Sequence, residues 1–250
     1  MLATLSVSGI TLPGPYAREL PAWIAQARGQ DWFDLWIAVP WLTICATRAR
    51  DGARTWSLLL AGAYAYVVYA LAIHAFAIHF NALFLVYCTT LGLAGYALIA
   101  LALELAATED RVDRRAAHLG GGLLVTLGAL FGALWLAEDV PAMMTGVTPT
   151  ALGDTGLFTN PVHVLDLAFV LPAHALAGVW LWRRHRTVLA QVVLAFGIVW
   201  AASIGAMVVA TGAAPLAVGM FVAAAASAVV FVRVRRYRDA TSSRVIAAEP

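Results

Sequence analysis

The chain has 250 residues, of which 62% are hydrophobic and only 12% charged, with a formal net charge of +2 and a mean hydropathy of +0.82. Soluble domains carry about 25% charged residues, so this composition excludes a water-soluble globular protein and points to an all-α integral membrane protein. At roughly 20 residues per spanning helix, the length accommodates about seven spans with short loops.

The first ten residues, MLATLSVSGI, have neither the basic n-region nor the sustained apolar core of a cleavable signal peptide. Residues 1–30 therefore read as an extracytoplasmic segment, with membrane insertion driven by the first true span. Apolar runs between charged punctuation predict seven helices within 31–233: 32–47 (short, with Pro40 inside), 56–78, 82–105, 119–136, 162–182, 188–211 and 216–232. Residues 234–250 form a basic cytoplasmic tail. Asn160 followed by Pro161 is an N-cap and first-turn proline opening the fifth helix. Trp32, Trp36, Trp41, Trp56, Trp135, Trp180 and Trp182 fall near span ends, as an interfacial aromatic belt does. Gly128 and Gly132, and the series Gly197, Ala201, Gly205, provide small faces that seat helices against one another. No internal repeat is evident by inspection.

All 16 basic residues are arginine. Thirteen of them cluster as Arg48, Arg50 and Arg54; Arg111, Arg114 and Arg115; Arg183, Arg184 and Arg186; and Arg233, Arg235, Arg236 and Arg238, while Arg18 and Arg28 lie in the amino-terminal segment and the loops after helices two, four and six carry none. Basic loops stay cytoplasmic, which places the amino terminus outside, the carboxyl terminus inside, and the chain in a bacterial inner (plasma) membrane as a multi-pass protein. Orientation accounts for every arginine cluster, so no basic patch is left to bind nucleic acid. Arg233, Arg235, Arg236 and Arg238 are also suited to anionic lipid headgroups of the bilayer. Cys45 and Cys88 lack CxxC spacing and read as small buried hydrophobes.

The unusual residues gather at one end. Asp31 and Asp34 open helix one, His74 lies near the end of helix two, His79 and Asn81 form its outer turn, Glu138 and Asp139 close helix four, and Asn160, His163 and Asp166 begin helix five. At about 100° per residue, His163, Asp166 and His174 share one face of helix five, a polar stripe that should point into the bundle. An aspartate at this depth costs up to about 2.5–3.5 kcal/mol on insertion scales, so it requires a partner or a role.

Two stretches, FNALFLVYCTTLGLAGYALI at 80–99 and TNPVHVLDLAFVLPA at 159–173, resemble a group of functionally uncharacterised bacterial multi-pass membrane proteins. The resemblance implies a seven-helix membrane protein of unassigned activity and transfers no site residue. Three readings of the polar pocket (Asp34, His74, His79, Asn81, Glu138, Asp139, His163, Asp166, His174) stay open. It binds or transports a small ligand, cation or proton from outside. Alternatively it holds a metal (His74, His163, Asp166) or a haem, as an enzyme or redox protein. In the third reading it is a hydrogen-bonded network of a structural or accessory subunit, with Asp166 tied to His163 or His74. HExxH and GxSxG motifs are absent, and Ser57, Ser203 and Ser227 read as lying away from the cluster.

Overall fold

In the computed structural model, residues 1–246 are described, with side chains as far as Arg235; Arg236 and Arg238 of the basic tail lie outside the described side chains, and residues 247–250 outside the described residues altogether. The described chain is entirely helical, with no strand. Six helices are long and apolar enough to cross a membrane. They are α3 (Arg54–Ala77), α4 (Phe84–Ala106), α5 (Arg114–Thr145), α7 (Pro161–Arg183), α8 (Thr187–Ala210) and α9, whose apolar part is Ala214–Arg235. Ahead of them stand a short helix α1 (Leu2–Thr11) and a long helix α2 at 21–50, while α6 (Thr150–Thr155) fills the α5–α7 connection.

Helix α2 corresponds to the first predicted span but begins eleven residues earlier, because Pro21 supplies a rigid first turn. It runs without a break through a π turn at Asp34–Ala38 into Val39–Arg50. A second π turn, Asp166–Val170, interrupts α7. In both places a proline follows at once, Pro40 and Pro172. Proline donates no backbone hydrogen bond and crowds the preceding turn, and one widened turn absorbs both problems without ending the helix.

The remaining boundaries follow from local chemistry. Asp113 caps α5 by accepting from Arg115 N (2.9 Å) and Ala116 N (3.1 Å), and Gly146, at φ 69°, ends it. Asn160 caps α7 through Val162 N (3.0 Å) and His163 N (3.3 Å). Residues 2–11 form helix α1, whose Leu2, Leu5, Ser6 and Gly9 are buried where it packs on α2.

Helices α3 and α8 form the centre of the bundle, and they cross at Gly62. A Cβ there would stand 2.6 Å from the backbone of Ala195 and Phe196, so the crossing admits only glycine. The predicted small-residue faces also pack within the chain. A Cβ on Gly128 would lie 3.0 Å from Leu171 O, and one on Gly205 would lie 3.0 Å from the Phe221 ring. Cys45 is buried, whereas Cys88 is exposed on the outer side of α4, contrary to expectation.

Candidate functional site

Alternation of the helices puts the arginine-bearing connections at one end and residues 78–83, 146–160 and 211–213 at the other. The arginine end is closed. Asp110 accepts from Arg54 Nε (3.1 Å) and from Arg235, and Gln191 Nε2 lies 3.3 Å from it. Thr187 Oγ1 donates to Asp110 O (2.7 Å) and Thr187 N to Glu109 Oε2 (3.0 Å), and Arg235 Nε reaches Thr55 Oγ1 (3.2 Å). This network ties α3, α8 and α9 to the α4–α5 connection. Arg235, expected at lipid headgroups, is thus turned inward and is only 6% exposed, while Arg233 remains exposed. His118 and His185 are exposed at the same end.

The opposite end is open and acidic. Two cavities, of about 700 and 270 Å³, flank Glu138 and His163; Asp139 and Asn160 line the larger, and Gln26, Trp135 and Asn160 the smaller. His163 Nδ1 sits 3.0 and 3.1 Å from the two Asp139 oxygens. Its ring stacks on Trp135 with centroids 4.3 Å apart, and Trp135 Nε1 donates to Asp166 Oδ2 (3.0 Å). Asp166 therefore pairs with neither His163 nor His74. The expected inward stripe is present, with His163 5% exposed and Asp166 and His174 0%. Tyr69 and Trp200 also face the Asp166 carboxylate, just outside hydrogen-bonding geometry. As a result Asp166 Oδ1, Tyr69 Oη and Trp200 Nε1 are all buried without a hydrogen-bond partner, as is His174 Nε2, whose ring lies 5.5 Å from that of Trp200. Buried polar atoms nearly always carry a partner, and here Asp166, Tyr69 and Trp200 turn their polar atoms toward one another.

A second polar group adjoins it through α3. Tyr66 donates to Asp34 and accepts from Gln30 Nε2, which is also 3.4 Å from Asp34. Ser203 faces Tyr66, so it is part of this network rather than remote from it. Tyr66 and Tyr69 are one turn apart on α3 and electrostatic neighbours, which links Asp34 to Asp166 across the bundle. Nearby, Tyr16 Oη donates to Asp31 (2.6 Å) and lies 3.5 Å from His74 Nε2. Burial, and then the adjacent Asp31, push the Tyr16 hydroxyl well above the ordinary phenol range. Gly9 makes this approach feasible, since a Cβ there would fall 2.0 Å from Asp31 Oδ2.

His79 and Asn81 do not join the site. Glu19 accepts from His79 N (2.7 Å) and lies 3.0 Å from its Nδ1, while Asn81 Nδ2 donates to Pro15 O (3.3 Å). Both hold the amino-terminal segment onto the α3–α4 turn. Among the described residues no three His, Cys, Asp or Glu side chains come together as a metal site, so His74, His163 and Asp166 do not form the expected ligand set. A bis-histidine haem fits no better. His74 Nε2 faces Tyr16, and the His174 ring is packed against Trp200 and Phe196 (5.5 and 6.1 Å).

Tyr16, Tyr66, Tyr69, Trp135 and Trp200 escape sequence reasoning because aromatic rings count as apolar there. Trp135, placed in the interfacial belt, acts instead as a donor inside the bundle. Comparison with protein families, with curated proteins and with solved structures finds no match for this chain.

Proposed function

We propose that the protein is a seven-span plasma-membrane protein that takes up a proton or other small cation from outside, through the acidic mouth at Glu138, Asp139 and His163, and holds it at Asp166. One observation carries this reading: Asp34 and Asp166, 2% and 0% exposed, are engaged by no arginine or histidine, because among the described residues no salt bridge reaches either. A buried carboxylate without a cationic partner is costly in a low-dielectric interior; a proton or a cation removes that cost. The neutral donors around Asp166 leave its charge uncompensated while orienting it. Helix α2, interrupted only by its π turn, supplies the seventh span. The arginine-bearing end, which the positive-inside tendency assigns to the cytoplasm, is the one closed by Asp110, so access is from the outer side.

The test is proton binding by the purified full-length protein, read with a pH dye after an acid step in detergent. The wild type is expected to take up about one proton more than Asp166→Asn, and His163→Ala is expected to slow that uptake without removing it. Equal uptake by wild type and Asp166→Asn would rule the proposal out.

A further inference from the structure

The two π turns are counterparts. Asp34–Ala38 and Asp166–Val170 each begin at a buried aspartate and each run into a proline, within DLWIAVP at 34–40 and DLAFVLP at 166–172. The spacing that separates Asp34 from Asp166 also separates Pro40 from Pro172, Arg54 from Arg186 and Thr55 from Thr187. The next helices, Arg54–Ala77 and Thr187–Ala210, are both 24 residues long, and a third long apolar helix follows each, α4 and α9.

Packing repeats the correspondence. Helices α3 and α8 occupy the same central position and touch each other. Their crossing joins Gly62 to Ala195, and by the same spacing the counterpart of Ala195 is Ala63, the neighbour of Gly62. That is the contact a two-fold axis between the helices requires. The starts of the two helices grip the same connection, Arg54 through Asp110 and Thr187 through Glu109 and Asp110. The chain is thus two three-helix repeats, α2–α4 and α7–α9, joined by α5. Because a single helix separates them, both repeats run in the same direction, the parallel type in which sites lie at the repeat interface.

We propose that Asp34 is a second proton-binding carboxylate, the repeat counterpart of Asp166, so that the protein holds two protons, one in each half. This rests on the reading of Asp166 as the site of uptake. The groups facing Asp34 are Gln30 and Asp31 from its own helix, Tyr66 from α3 and Tyr16 from the amino-terminal segment, with Ser203 of α8 beside Tyr66. Those facing Asp166 are Trp135 from α5, Tyr69 from α3 and Trp200 from α8, while His163 one turn earlier is turned to Asp139. Neither set contains an arginine or lysine. Tyr66 and Tyr69, one turn apart on one face of α3, put the two carboxylates at similar depth, where movement of one repeat against the other would act on both.

The experiment is infrared difference spectroscopy of the full chain in lipid between neutral and acid pH, read in the C=O stretch of protonated carboxyl groups. The wild type is expected to show two components of comparable area. Asp34→Asn should lose one, Asp166→Asn the other, and the double variant both; Asp31→Asn run in parallel identifies any contribution from that residue. Asp34→Glu, which keeps the carboxyl, should retain its component at a shifted frequency and so separates loss of the site from loss of the fold. If Asp34→Asn leaves the band unchanged while Asp166→Asn reduces it, the second site is overturned and the first stands. If Asp166→Asn also leaves the band unchanged, both are overturned.

Discussion

Asp110 at the closed end offers the strongest test of the packing. Its side chain is 4% exposed and engages Arg54, whose side chain is 21% exposed, and Arg235, at 7%. Asp110→Ala takes this carboxylate away from the Arg235 guanidinium inside the bundle, while Gln191 Oε1 (3.2 Å) and Thr55 Oγ1 (3.2 Å) stay beside it. Removing one partner of a buried pair costs about 3–5 kcal/mol. Arg54 is partly exposed and keeps its bonds to Leu105 O and Thr108 O (both 3.1 Å), which favours the lower figure, about 3 kcal/mol. For a chain of this size each kcal/mol moves Tm by roughly 2–4 °C, so a fall of about 6–12 °C is expected. Tryptophan fluorescence during a thermal ramp in detergent, at one fixed scan rate, measures it. Asp110→Asn, which keeps an acceptor oxygen but no charge, should fall between wild type and Asp110→Ala. A Tm for Asp110→Ala within about 2 °C of wild type would refute the assignment of this network as the clasp of the arginine end.

The other consequences are simpler to state. Gly62→Leu should force α3 and α8 apart, because even a Cβ meets backbone at 2.6 Å; loss of the monodisperse gel-filtration peak is expected, and a normally folded variant would contradict the crossing. Gly9→Val should displace Asp31 from Tyr16, with a loss of about 1–3 kcal/mol typical of overpacking, seen as a lower Tm. Gly14→Val, where a Cβ meets nothing within 4 Å, is the control that should leave Tm in place, and equal Tm values for the two variants would contradict the close approach at Gly9. A lipophilic maleimide should label Cys88 in the folded protein and leave Cys45, which is 0% exposed, unreacted until denaturation; labelling of both would contradict the placement of α2 against α3.

Much of this was legible in the residues. The 3.6-residue period alone puts His163, Asp166 and His174 on one face, and the cap chemistry of Asn160 and Pro161 fixes where α7 starts. The alternation of arginine-bearing and arginine-free loops anticipates which end is basic. The partners of the stripe were not legible, because Trp135 sits at a span end and the sequence records no distance between it and Asp166. The π turns were hidden as well. Pro40 and Pro172 mark a disturbed helix, but whether it kinks, breaks or widens depends on what packs around it. The repeat rests on DLxxxxP and one Arg-Thr pair within otherwise interchangeable apolar residues, and it becomes apparent only when both aspartates are found opening the same kind of turn. His79 and Asn81 share the end of the pocket in sequence, yet Glu19 and Pro15 draw them to the surface segment instead.

The most direct measurement of the central claim is a proton titration of the full chain in lipid, compared between wild type and Asp166→Asn. The wild type should bind one proton more than Asp166→Asn over the acid range. Identical titration curves for the two would contradict the holding of a proton at Asp166.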